Sequence, residues 1–198
     1  MVLPHAGFNS PAGVAAGLRR FAERLGRPVV VYVKQVGYLA PEDVARLTAD
    51  GVVSWVKYAL VRPDPADDPW LRRLLELVPA ERVISGIGEQ PAVTHLRDFG
   101  LGGYTSGCVC VAPALSTRML AACRAGDWTE AERIRELLRP LEDLRNAHHP
   151  VRVLHEAVRA AGIAETGPLL PLLHPVTVAE GGAIRAAALA LRAAEAEA

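Results

Sequence analysis

Along the first 125 residues, short apolar runs rich in β-branched side chains alternate with amphipathic helical stretches, and this alternation constrains the fold more than any other feature. Positions 29–33, 52–56, 82–85 and 103–106 read as strands, with positions 2–3 as the remnant of another. Helices are expected at 11–25, 41–49, 70–77, 91–99 and 113–125. Ser10 precedes Pro11 as a helix cap, and Gly26, Gly51 and Gly100 follow helix ends. Strand and helix recur at roughly 25-residue spacing with nearly continuous apolar strands, the pattern of a parallel sheet buried on both faces. The fold class is therefore α/β.

The alternation stops near Ala125. Positions 127–147, 150–161 and 176–194 read as helices without strands between them, joined by the proline-broken connector Gly167-Pro168-Leu169-Leu170-Pro171-Leu172-Leu173. An Ala/Leu face at Ile184, Ala188 and Leu191 is expected to pack on the barrel or on a partner. The domain division expected from these patterns is 1–125 for the α/β part and 126–198 for a helical extension.

In a parallel α/β barrel, functional groups gather at the carboxyl ends of the strands. Tyr32, Lys34, Lys57, Ser85, Gly86, Gly88, Thr105 and Ser106 lie there. The chain contains twenty arginines but only two lysines, Lys34 and Lys57. A lysine in that background points to chemistry a guanidinium cannot do, such as nucleophilic attack by an amine. At the end of an apolar strand, Lys57 would be desolvated towards the free amine, which can attack a ketone and form an iminium. Tyr32 could then move protons. By spacing alone, Lys57 reads first as a strand-end cation reaching for solvent, and Tyr32 as a barrel-lining aromatic.

A resemblance bears on that choice. Pro28-Val29-Val30-Val31-Tyr32, the sixteen positions from Pro41-Glu42 to Lys57, Ser85-Gly86, Tyr104-Thr105-Ser106 with Val111-Ala112-Pro113, and Ala125-Gly126-Asp127 together resemble the dihydrodipicolinate synthase / N-acetylneuraminate lyase family. The resemblance implies a partial (β/α)₈ barrel, strands four to eight, with a C-terminal helical extension. It also implies a Schiff-base-forming class I lyase or dehydratase acting on a 2-oxo acid. Lys57 would be the Schiff-base lysine and Tyr32 the proton carrier, with Gly86, Thr105 and Ser106 lining the substrate. Tyr104-Thr105-Ser106 is nearest the 5-dehydro-4-deoxyglucarate dehydratase-like branch. Assembly as a homo-oligomer, a dimer or tetramer, is likewise implied.

The departures are specific. The family's Gly-Thr-Thr-Gly-Glu segment and strands one to three have no counterpart here, and a barrel typically needs about 250 residues. Pro4-His5-Ala6 stands in place of Pro-Tyr-Tyr. Val33-Lys34-Gln35-Val36-Gly37 replaces the Arg-Thr-Gly that follows the tyrosine in the synthase, which argues against dihydrodipicolinate synthesis. The alternative expectation is a truncated, non-catalytic barrel fragment serving as an oligomerising or scaffold module.

Other classes recede. The formal net charge is zero and no basic run is present, so nucleic acid is not an expected partner. No apolar stretch approaches the roughly 20 residues that span a bilayer, and no signal peptide is read, so the expected location is cytoplasmic, with Cys108, Cys110 and Cys123 reduced. His148, His149, His155 and His174 lack ligand spacing, and Gly86-Ile87-Gly88-Glu89 is not a full dinucleotide fingerprint, so neither metal nor cofactor is expected. Glu89 is a candidate polar contact to substrate, or a helix cap. A barrel begun at strand four leaves two strand edges open. The 198-residue chain alone is therefore expected to be oligomeric or insoluble with little lyase activity, which size-exclusion chromatography and a lyase assay would check.

Overall fold

The computed structural model describes residues 1–2 and 9–198. Leu3 and Pro4-His5-Ala6 lie outside the described residues. The chain forms two compact units, Met1–Ile87 with Thr94–Thr105, and Gly88–Val93 with Ser106–Ala198.

The first unit is built in the order α1 (Pro11–Leu25), β1 (Val29–Val33), α2 (Pro41–Ala49), β2 (Val53–Tyr58), α3 (Pro69–Leu75), β3 (Val83–Ser85), α4 (Ala92–Phe99) and β4 (Gly103–Tyr104), with α4 entering from the other unit by its first two residues. The strands form one sheet in the order β1-β2-β3-β4, with every pairing parallel. Val2 adds a parallel bridge to Val31, its N–H donating to Val30 O at 2.8 Å, so Val2 meets the outer edge of β1. Local chemistry explains the helix ends. Ser10 Oγ accepts the Gly13 N–H, and Gly26 closes α1 at φ 63°, a left-handed conformation that glycine adopts without Cβ strain.

The carboxyl ends of two strands differ from the sequence reading. β2 runs on to Tyr58, because pairing continues through Tyr32↔Lys57 and Val33↔Tyr58, so Lys57 sits within the strand rather than at its end. β4 is only two residues long. Thr105 still donates its N–H to Ser85 O at 2.8 Å, but Ser106 has left the sheet.

The expectation of a sheet buried on both faces is also corrected. Successive side chains on a strand point to opposite faces. Val31, Val33, Val56, Tyr58, Val83 and Ser85 are buried on one face, with Leu18, Val44, Leu47, Leu71 and Leu74 from the helices in the same core. On the opposite face Tyr32, Lys57 and Ile84 are only half-buried, because no helix layer covers it within this unit.

The buried layer holds a polar cluster. Tyr58 donates its hydroxyl to Asp68, which also accepts from Arg62 Nε at 3.0 Å and caps α3 through the Leu71 N–H at 2.9 Å. Trp70 stacks on Tyr58 at 5.5 Å, and His95 meets it edge-on at 5.8 Å. Burial, then the Asp68 carboxylate, push the Tyr58 hydroxyl far above its ordinary pKa. Burial alone would raise Asp68, but donation from Arg62, Tyr58 and the Leu71 N–H outweighs it and holds the carboxyl below its usual range.

The second unit is helical: α5 (Pro113–Ala125), α6 (Trp128–Ala147), α7 (Pro150–Ala160) and α8 (Val178–Ala196). The Ile184, Ala188 and Leu191 face of α8 is buried, and α8 packs on α5, α6 and α7 of its own unit. Buried Arg152 holds the connector before α8 by donating to His174 O at 2.8 Å, Pro175 O at 3.0 Å and Glu180 at 2.9 Å.

Replacing Tyr58 by Phe removes a donor from a fully buried carboxylate and is expected to cost about 1–3 kcal/mol in urea unfolding. Because the folded pKa of Asp68 is depressed, its stabilisation is present above the ordinary carboxyl range and lost as pH falls through the folded value. Asp68→Asn should therefore lower stability at pH 7 and flatten the acid limb below about pH 4, read from the urea midpoint against pH.

Candidate active site

Register assembles the site in the first unit. Tyr32 on β1 is paired with Lys57 on β2, and Lys57 with Ile84 on β3, so these side chains share the half-buried face. Lys57 Nζ lies 4.6 Å from the centroid of the Tyr32 ring. The ring face holds the amine against one wall of the site.

Gly86 follows β3 by one residue and falls on the same face by the two-residue period. Its N–H donates to Tyr58 O at 2.6 Å. A Cβ at this position would stand 2.7 Å from Lys57 Cγ and 3.0 Å from Lys57 Cε. Only glycine leaves room for the lysine stem in its observed course. Thr105 is half-buried, with its Oγ1 3.4 Å from Ser85 O, and the same period places it with Gly103 on the Lys57 side.

Lys57, Tyr32, Gly86 and Thr105 thus belong to one face of one unit, whereas Ser106 belongs to the second unit. There its hydroxyl donates to Glu89, accepts the Val109 N–H at 2.8 Å and lies 3.2 Å from Ser116 Oγ. These contacts occupy its hydrogen-bonding capacity. Glu89 is fully buried, accepting from Ser106 and from the Cys108 N–H at 3.0 Å. Its side chain is thus engaged in the interior of the second unit.

Sequence reasoning missed the layer behind Lys57. Ser85 Oγ lies 2.9 Å from His95 Nδ1, and burial pushes the His95 imidazole down to about 4, so it is neutral at pH 7. The available signal was the alternation itself, since Tyr58 and Ser85 occupy the positions that must face the helices. Two of the tail histidines have structural contacts: His155 Nε2 lies 3.2 Å from Thr166 O, and His148 faces Glu180 at 3.2 Å.

This architecture, a parallel α/β sheet with a lysine on the face opposite its helices, defines the class. The dihydrodipicolinate synthetase family model matches residues 1–187, and the chain belongs to that family. Among curated relatives, the probable 5-dehydro-4-deoxyglucarate dehydratase 2 of Streptomyces coelicolor is 28% identical over 186 residues, covering 89% of this chain and 54% of the relative. A probable 5-dehydro-4-deoxyglucarate dehydratase of Cereibacter sphaeroides is 27% identical over 194 residues, covering 94% and 62%. The chain thus spans little more than half the length of these relatives, and their names match the branch that Tyr104-Thr105-Ser106 suggested. Dihydrodipicolinate synthase from Oceanobacillus iheyensis superposes with a TM-score of 0.80 at 24% identity, over 92% of this chain and 60% of that one. The Bacillus clausii synthase gives 0.77 at 26%, over 92% and 61%.

Gly86→Ala is expected to displace the Lys57 side chain and to destabilise the unit by about 1–3 kcal/mol through overpacking. A urea midpoint unchanged from wild type, with Lys57 undisturbed in the variant's structure, would refute the packing argument.

Proposed function

We propose that this chain carries the Schiff-base site of a class I lyase or dehydratase acting on a 2-oxo acid. The observation that carries this reading is the seating of Lys57, held against Tyr32 and given space by Gly86, in a chain belonging to the dihydrodipicolinate synthetase family. The deprotonated Nζ attacks the ketone carbon, and the carbonyl oxygen takes up a proton to give a carbinolamine. Loss of water then leaves an iminium, with Tyr32 moving the protons. The iminium accepts the electron pair left when a proton at C3 is removed or when the C3–C4 bond breaks. In the dehydration case, a hydroxyl at C4 then leaves as water. Gly86 and Thr105 line the substrate, and Ser106 supports Glu89. The electron sink is the lysine itself, so the reading needs neither a metal nor a nicotinamide.

In the same reading, Val2 and β1–β4 correspond to barrel strands four to eight, residues 1–125 form the barrel part and 126–198 the helical extension. The whole protein works as a cytoplasmic homo-oligomer, a dimer or tetramer. Free Cys108, Cys110 and Cys123 fit a reducing compartment, and no helix among the described residues is long and apolar enough to cross a membrane.

Borohydride reduction in the presence of pyruvate or a related 2-oxo acid is expected to add the corresponding mass at Lys57. Lys57→Arg should abolish the adduct, because a guanidinium stays protonated and does not attack carbonyls. Peptide mapping that finds the adduct on Lys34, with Lys57 unlabelled, would sink the assignment.

A further inference from the structure

The interior of the second unit contains two fully buried glutamates that the proposed chemistry does not use. Glu89 lies on the Gly88–Val93 segment and Glu142 on α6, and neither exposes any surface. Gly88 and Gln90, on either side of Glu89, both meet α6 at Glu142: a Cβ on Gly88 would collide with Glu142 Oε1, and the Gln90 side chain donates to Asp143. Glu89 Oε2 and Glu142 Oε2 are both buried without a donor. Around them, the Gln90 N–H donates to the Glu142 carboxyl, Arg145 donates to Glu142 Oε1 at 3.2 Å, and Ser106 and the Cys108 N–H donate to Glu89. The Gln90 side chain continues the seam, donating to Asp143 at 2.9 Å and accepting from Asn146 at 3.3 Å. A Cβ on Gly88 would collide with both Glu142 and Arg145, and one on Gly107 would lie 2.8 Å from Arg145, so the backbone is shaped around these groups.

Two carboxylates are acceptors only and cannot hydrogen-bond to each other, whereas an acid and a carboxylate can. Dry, adjacent like charges are also costly, and Arg145 balances one of them. We infer that Glu89 and Glu142 share a single proton at neutral pH, and that this acid–carboxylate bond is a pH-sensitive latch fastening segment 88–93 to α6.

Burial, reinforced by the neighbouring Glu89, pushes the Glu142 carboxyl up to about 8. The other ionisable groups facing the pair are Arg145 and Asp143 on α6 and Cys108 on the adjoining turn. Burial pushes the Cys108 thiol far up, so it stays protonated, donating to Leu138 O at 3.6 Å. The sign follows from linkage. A carboxyl whose folded pKa lies above its unfolded one contributes stability that is complete below the ordinary carboxyl range and lost as pH rises through the folded value. Opening of the latch is therefore expected as pH passes about 8.

The test is infrared titration of the whole chain, paired with hydrogen exchange of segment 88–93. At pH 7 the protein should show a protonated-carboxyl band that disappears by about pH 9 and is missing from Glu142→Gln, while Glu180→Gln, at the half-buried N-terminal end of α8, retains it. Over the same interval, exchange of the 88–93 amides, corrected for its intrinsic pH dependence, should accelerate several-fold in wild type and stay level in Glu142→Gln. No band at pH 7, or a band that survives Glu142→Gln, overturns the shared proton. A band that titrates while 88–93 protection stays unchanged overturns the latch. If Glu142→Gln fails to fold, the wild-type titration still decides, since a midpoint within the ordinary carboxyl range refutes the inference.

Discussion

The hydrogen bond from Tyr58 to Asp68 holds the most consequential strand of the molecule to its helix layer. Asp68 is fully buried and simultaneously caps α3, pairs with Arg62 and receives the Tyr58 hydroxyl. A carboxylate so engaged can remain charged in an apolar layer, because the Tyr58 hydroxyl, the Arg62 guanidinium and the Leu71 N–H all donate to it. With Tyr58 secured on that side, the two-residue period of β2 leaves Lys57 no direction but the opposite face. The placement of the candidate nucleophile is thus a consequence of where its neighbour is anchored.

That anchoring turns a strand into a site by excluding alternatives. Pairing with β1 brings the Tyr32 ring beneath the Lys57 amine, and pairing with β3 brings Gly86 against the lysine stem. Each neighbour acts through shape as well as charge: the ring offers a face to a cation, and the glycine offers the space a methyl group would fill. The second unit uses the same device differently. Gly88 and Gly107 make room for Arg145 and Glu142, so buried charge is fitted into the backbone rather than simply neutralised by a surface partner.

Much of the fold was legible because it follows from local rules. The β-branched run Val29–Val33, the Pro-initiated helices at Pro11, Pro41, Pro113 and Pro150, and the left-handed Gly26 and Gly126 all lie where propensity and capping put them. Lys57 and Tyr32 stood out by residue type and by position at apolar strands. The end of β2, the shortness of β4 and the open face of the sheet were not legible, since strand length is set by what the neighbouring strands pair with.

The sequence by itself determined the α/β alternation, the helical second half, the family and the lysine, because periodicity, caps and residue chemistry are properties of contiguous segments. Only the tertiary structure decided that Ser106 turns to Glu89 instead of staying with Thr105, and that Glu89 is interior instead of solvent-facing. It also brought Glu142, 53 positions from Glu89 along the chain, to its side. The physical reason is that burial and pairing of charge depend on groups distant in sequence, and no local pattern records which of them will meet.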